Sequence, residues 1–327
     1  LITVLLVVAL ATTAAASMTG RHQFDLRRTG NRLALEQAHQ VALGGESWAR
    51  GILARDRRGQ RADGSERATQ EGARPLAVDS RDEDWAQALP PIPIEGGRVT
   101  GRITDAQGRF NVNSLLAGAA GARAGAGAGS GDAVDGIALA RFERLLAALD
   151  IDAAVARATI DWLDANGEVT YPGGAEDDYY AGLDSPYRAA NRRLAAASEL
   201  RLVRGVDAGA WQRLAPHVTA LPTATPINVN TASARVLQAI VPGLETGAAG
   251  QLAEIAAERP FAALADFRAH PLVRAAGFET DGLAVGSAHF RVRSDVRIGA
   301  IEYRLYSWLA RDDTGASRVL RRARTRN

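Results

Sequence analysis

The chain has 327 residues, 46% of them hydrophobic, which is enough for two compact units or for one unit carrying a large insertion, without covalent staples. It has no Cys, so disulfides, thiolate zinc sites and cysteine nucleophiles are excluded. The formal charge is +2 and every basic side chain is Arg; 39 basic residues against 37 acids point to a composition bias rather than a dedicated polyanion surface.

Residues 1–18, LITVLLVVALATTAAASM, carry no charge. As a helix they span about 27 Å at ~1.5 Å per residue, close to a ~30 Å hydrocarbon core. A permanent anchor fits this run, and so does a cleavable signal, although nothing basic precedes Leu1. The following segment favours the anchor. From Arg21 to about Asp56 there is no Pro, and Leu26, Leu33, Leu35, Ala38, Val41, Ala42, Trp48, Ile52 and Leu53 fall mostly three or four apart. The helix is therefore predicted to continue to residue 56. Gly30, Gly44 and Gly45 weaken it by up to ~1 kcal/mol each, which places a bend or break near residue 44.

Residues 57–75 are polar and aperiodic and read as a loop. Val99–Ile103 and Phe110–Val112, separated by Asp105-Ala106-Gln107-Gly108, predict a β-hairpin. The run AGAAGARAGAGAGSG at 117–131 has linker composition and no nucleotide-loop context. From Asp135 to about Phe278 the pattern is helical. Phe290, Val292, Val296 and Ile298 then alternate, as do Ile301, Tyr303, Leu305 and Leu309, with turns at Gly299 and DDTG, predicting three antiparallel strands. The organisation is thus a stem at 1–56, a loop and first strands at 57–116, a linker at 117–134, a helical insertion at 135–286 and closing strands at 287–327. One small sheet, split by the insertion, sits on the stem.

Within the insertion a unit recurs. LAALDIDAAVAR, RLVRGVDAGAWQ and QAIVPGLETGAA each run an apolar helix into Asp150, Gly205 or Gly243, then an apolar residue, then Asp152, Asp207 or Glu245 at the start of the next helix. The third unit, with RPFAALADFRAHP after it, resembles the helix-hairpin-helix domains of DNA-binding competence and repair proteins. Those hairpins present a Gly-apolar-Gly turn to a phosphate, whereas Gly243-Leu244-Glu245 presents a carboxylate.

The densest polar run is DWLDANGEVTYPGGAEDDYYAGLDSPYRAANR. Asp161 and Asp164 share one face at a helix end, Glu176, Asp177 and Asp178 follow a Gly-Gly turn, and Asn191 comes after SPYRA. Three readings fit: a solvated acidic loop, an oxygen-only Ca²⁺ site, and a carboxylate pair for acid–base chemistry. An EF-hand is excluded, because Gly falls at the fourth loop position and Ala175 at the twelfth. The five His are scattered, and there is no H-E-x-x-H, G-x-S-x-G or Walker motif.

An uncharged half followed by an amphipathic half on one stem resembles a type IV pilin or pseudopilin. Those stems carry a Glu in a run such as Leu-Ile-Glu-Val-Leu; here Leu1-Ile2-Thr3-Val4-Leu5 has Thr3 in its place, in a register with two further residues ahead of Leu1. With the split sheet, the insertion and the ordered runs GRFNVN, DWLDANGE, GGAEDDYY, PYRAANR, ELRLVRGV and PINVNTA, the sequence resembles the minor pseudopilin K family of type II secretion systems over nearly its whole length.

That resemblance implies an α+β pseudopilin fold: a long N-terminal hydrophobic helix, a small antiparallel sheet and a large inserted all-α domain with helix-hairpin-helix-like units. It implies a non-enzymatic, single-pass inner-membrane protein with its bulk in the periplasm, processed and methylated by a prepilin peptidase. Its partners would be minor pseudopilins I and J, together at the tip of a pseudopilus that drives folded proteins across the outer membrane. It further implies two Ca²⁺ ions in the insertion, with Asp161, Asp164, Glu176, Asp177, Asp178 and Asn191 as ligands. In the family the Glu pairs with the amino terminus of the subunit above, so Thr3 suits a subunit with none above it. The alternatives are a membrane-tethered DNA-binding protein using the hairpins and a metal-dependent hydrolase built on the acidic cluster.

Overall fold

The computed structural model describes residues 1–67, 78–116 and 133–324, leaving aside the side chains of residues 16, 19, 20 and 61–67. In chain order the elements are α1 (Ile2–Arg67), β1 (Leu89–Ile94), β2 (Gly97–Asp105), β3 (Phe110–Asn111), α2 (Gly136–Ala148), α3 (Ala154–Leu163), α4 (Asp177–Ala181), α5 (Ala208–Leu214), β4 (Val218–Thr219), β5 (Ile227–Asn228), α6 (Ala234–Ile240), α7 (Thr246–Glu258), α8 (Leu264–Ala269), β6 (Leu283–Ala284), β7 (His289–Ile298), β8 (Ile301–Arg311) and β9 (Ser317–Ala323). The linker expected at 117–131 and residues 68–75 of the expected loop lie outside the described residues.

Helix α1 is one continuous element, without a break at Gly44, and it runs past residue 56 into the segment expected to be a loop. Its packing face is narrower than the sequence periodicity suggested. Ala38, Ala42, Ala49 and Leu53 are fully buried, whereas Leu26, Leu33 and Trp48 are exposed. Small residues win this face because α1 lies close on the sheet: a Cβ at Gly45 would come within 2.8 Å of Ser294 Oγ. Glu46, buried on the same face, accepts from Ser307 Oγ at 2.6 Å and from both arms of Arg322 at 2.7 and 2.8 Å.

The sheet is antiparallel throughout, in the order β1-β2-β7-β8-β9. The closing three strands form as their alternation predicts. The expected hairpin between 99 and 112 does not. Residues 97–105 pair with β1 and, across the insertion, with β7, while Phe110 and Asn111 leave the sheet and pair in parallel with β4. The true partner, Leu-Pro-Pro-Ile-Pro-Ile, is hidden from a propensity reading by three prolines, which are tolerated because β1 is an edge strand with a bulge.

Between β2 and β7 the chain builds a second core. Phe142, Leu145 and Leu146 of α2, Leu163 and Trp162 of α3, Tyr180, Val236 and Leu252 are all buried in one cluster. Asp135 and Asp207 cap α2 and α5 through backbone amides at 2.7–2.9 Å. At all three recurring turns the residue that the sequence puts after the first helix is left-handed: Asp150 at φ 55°, Gly205 at 84° and Gly243 at 73°. The middle unit enters its turn from a short 3-10 helix rather than an α-helix.

Candidate metal centre

Helix α3 delivers Asp161 and Asp164 at its C-terminal end, and the loop that follows returns to cover them. Asp161 is completely buried, and Thr170 N donates to both of its oxygens at 3.1 Å. Gly174 closes the loop with its amide on Thr170 O at 2.9 Å. Only glycine fits there, because a Cβ would stand 2.2 Å from Asp161 Oδ2 and 2.5 Å from Thr170 O. Glu176, next along, is 4% exposed and its Oε1 has no hydrogen-bond partner among the described residues.

Burial, followed by the negative charges of Asp161, Asp164 and Asp177, pushes the Glu176 carboxyl up to about 7. Asn191 takes a left-handed conformation at φ 44°, donates from Nδ2 to Asn166 O at 3.1 Å, and holds a buried Oδ1 with no donor among the described residues. Asp177 is half exposed; its Oδ1 accepts from Ala189 N at 2.9 Å and its Oδ2 lies 3.9 Å from Arg188 Nε. Asp178 is exposed on the first turn of α4. The structure thus brings the charges of Asp161, Asp164 and Asp177 onto Glu176, ties Asn191 to Asn166 O in the loop after Asp164, and leaves Asp178 outward. Glu176 Oε1 and Asn191 Oδ1, buried without a donor among the described residues, are oxygens of the kind a hard cation takes, although no three of these acids bring ligand oxygens within 4.8 Å of one another among the described residues.

Sequence reasoning missed a second acidic group. Ligand oxygens of Asp56, Asp79 and Glu83 lie within 4.8 Å of one another where α1 meets the strand-bearing head. Here the cation is built in. Arg311 Nη1 donates to Asp56 at 2.7 Å and Nη2 to Asp79 at 2.5 Å, both from a fully buried side chain. Glu83 is pushed up to about 7, chiefly by burial and then by Asp56 and Asp79, and it accepts from Ser80 N and Trp85 Nε1.

The runs GRFNVN and PINVNTA proved to be structural ties. Asn113 donates to Leu194 O and Leu221 O and accepts from Leu194 N; Asn230 donates to Phe261 O and Val285 O and accepts from Phe261 N, all between 2.8 and 3.2 Å. Asn228 donates to Asp105, Ser287 Oγ and Asp79 O, joining the points where the chain leaves and re-enters the sheet. The repeated Asn-x-Asn spacing was the available signal. At the third hairpin, Glu245 is exposed beside Gly243 and caps nothing with its side chain, so a carboxylate stands where a phosphate-binding turn would need a bare amide. Thr3 is exposed on the first turn of α1.

The described residues include no helix long and apolar enough to cross a membrane. Sequence profiles of the family "Type II secretion system (T2SS), protein K" match residues 108–223 and 227–286. The Type II secretion system protein K of Pseudomonas aeruginosa is 36% identical over 98% of this chain and 91% of its own length, and that of Klebsiella pneumoniae 30% identical over 98% and 94%. That of Pectobacterium carotovorum is 37% identical over 71% of this chain and 65% of its own. A chain in the crystal structure of the GspK-GspI-GspJ complex from the enterotoxigenic Escherichia coli type 2 secretion system superposes with a TM-score of 0.73 at 25% identity, covering 92% of this chain and 100% of that one. With that architecture, those Asn ties and full-length likeness, this chain belongs to the type II secretion system protein K family.

Proposed function

We propose that this chain is a minor pseudopilin that joins minor pseudopilins I and J at the tip of a type II pseudopilus, initiating its assembly and supporting export of folded proteins across the outer membrane. The observation that carries the reading is the likeness over 92% of the chain to the member of the GspK-GspI-GspJ complex. The fold agrees with an end position. Inserting residues 106–288 between neighbouring strands β2 and β7 puts a bulky body on the head, which obstructs further stacking, and Thr3 brings no charge that a subunit above must neutralise.

The N-terminal helix serves in this reading as a single-pass inner-membrane anchor, processed and methylated by a prepilin peptidase, with the rest in the periplasm. Leu1, Ile2, Val4, Leu5, Leu6, Val7 and Val8 are 54–98% exposed along one end of α1, an apolar surface that requires lipid or neighbouring stems around it. The described apolar run of residues 1–15 spans about 22 Å by itself, and the uncharged sequence extends to residue 18. No catalytic role is assigned.

Asp161, Asp164, Glu176 and Asn191 would hold one Ca²⁺, with Asp177 and Asp178 available on the outer side for a second. The ion supplies positive charge to carboxylates that otherwise repel. The protein residues fix the donors: Thr170 N orients Asp161, and Gly174 lets the loop close over it. The decisive experiment mixes the chain with minor pseudopilins I and J. Co-elution as one complex is expected, and separate elution at concentrations on the order of 10 μM refutes the assignment.

A further inference from the structure

The near-balanced composition conceals a segregated surface. Alternation along the strands turns Phe290, Val292, Val296 and Ile298 toward α1 and sends Arg291, Arg293, Asp295 and Arg297 to the opposite face. Register brings Arg98 and Arg102 of β2 and Arg304 of β8 onto that same outer face. Around Asp295 and Glu302 stand Arg98, Arg102, Arg293, Arg297 and Arg304: five cations against two anions. Their exposure is real, with the side chains of Arg293, Arg297 and Arg304 at 44%, 54% and 50%.

Two features show that this is more than a solvated face. Arg98 lies directly across from Arg297, and Arg102 directly across from Arg293. Like charges directly opposite on antiparallel strands destabilise a sheet; Arg293 and Arg297 each keep an acid, Asp295 at 2.6 Å and Glu302 at 3.8 Å, whereas Arg98 and Arg102 have no ion pair among the described residues. Asp295, in turn, clamps two guanidiniums in place, holding Arg293 at 2.6 and 3.2 Å and pairing with Arg304. The clamped forks border a depression of about 610 Å³ that Arg98, Thr100 and Pro91 also line.

We infer that this outer sheet face is a docking surface for an acidic extended segment of a partner protein. Guanidinium forks match carboxylates bidentately, and alternate side chains of an extended strand recur at about 6.8 Å, a spacing that can place carboxylates between neighbouring arginines. A lipid headgroup is too far away; this step rests on the membrane-anchor reading above. Helix α1 first meets the sheet near Ala34, about 24 Å of helix beyond residue 18, or some three ~8 Å screening lengths from the bilayer surface. Duplex DNA, with one charge per ~1.7 Å, would set phosphates against Asp295 and Glu302 as well.

The test uses the full chain in detergent and a fluorescein-labelled peptide of alternating Glu and Gly. Arg98→Glu/Arg102→Glu removes both like-charge pairs, so its urea midpoint stays equal or rises while peptide affinity falls at least about tenfold. Arg268→Glu/Arg274→Glu, the same charge change on exposed residues of the helical insertion, keeps affinity within about twofold. Equal losses in the two variants overturn the inference, as does tighter binding of anionic vesicles or duplex DNA through Arg98 and Arg102. Assembly with pseudopilins I and J, measured on the same preparations, separates failure of this surface from failure of the family role.

Discussion

Replacing Arg311 by Met tests whether the buried cation holds the stem to the head. The side chain donates to Asp56 at 2.7 Å, Asp79 at 2.5 Å, Ser287 O at 2.9 Å and Leu53 O at 3.4 Å, and its guanidinium lies 4.6 Å over the Phe290 ring. Met keeps the length but leaves two carboxylates without a cation. Breaking a buried pair from one side costs about 3–5 kcal/mol, and the two carbonyl bonds add about 1 kcal/mol each, so a loss of about 5 kcal/mol is expected at pH 7.5. The sign of the pH dependence follows from the neighbours. Asp56 is already raised, first by burial and then by Asp79, and Glu83 is raised to about 7. Carboxyls with raised folded-state values weaken the fold as pH rises through the interval above their unfolded values, and removing Arg311, which holds Asp56 down, raises that carboxyl further. The penalty therefore shrinks at pH 5. Urea unfolding followed by Trp fluorescence reads it, with Trp85 the reporter at the site among five Trp, because its ring packs edge-on to Phe290 at 5.2 Å and it donates to Glu83. A loss below about 1 kcal/mol at pH 7.5, or an equal loss at pH 5, refutes the reasoning; Asp79→Leu/Arg311→Met should recover more than half of it.

In metal-free buffer the raised Glu176 carboxyl makes the insertion lose stability as pH climbs from about 4.5 through 7, and Ca²⁺ flattens that profile by replacing the proton; identical profiles with and without Ca²⁺ count against the site. Saturation at one hundred times Kd should add about 2.7 kcal/mol in chemical denaturation, a response that Asp161→Ala abolishes. Gly243→Ala meets no neighbour within 4 Å, so it costs only the left-handed backbone, about 1–2 kcal/mol, whereas Gly205→Ala also drives a Cβ to 2.9 Å from Val155 and costs measurably more by thermal unfolding. Asn230→Ala removes three buried hydrogen bonds and leaves Phe261 N unsatisfied, an expected loss of about 3 kcal/mol by denaturant titration; under 1 kcal/mol would show that water replaces the tie.

Local chemistry alone determined much of this molecule. The period-two alternation after residue 288 yields β7 because that strand buries every second residue against α1, and the three turns at Asp150, Gly205 and Gly243 form because left-handed backbone and a following acid are short-range instructions. Asp161, Asp164 and Glu176 converge because a helix end and a Gly-Gly loop are close in sequence. Tertiary structure decided what depends on distant partners. Prolines disguise β1 until its edge position excuses their missing amides, and residues 97–105 cannot announce that their second partner begins nearly two hundred residues later. Arg311 reads as one arginine among 39, and only the packing of stem on sheet surrounds it with Asp56 and Asp79. The basic face likewise arises from strand register, which sums charges that the linear composition had left nearly cancelled.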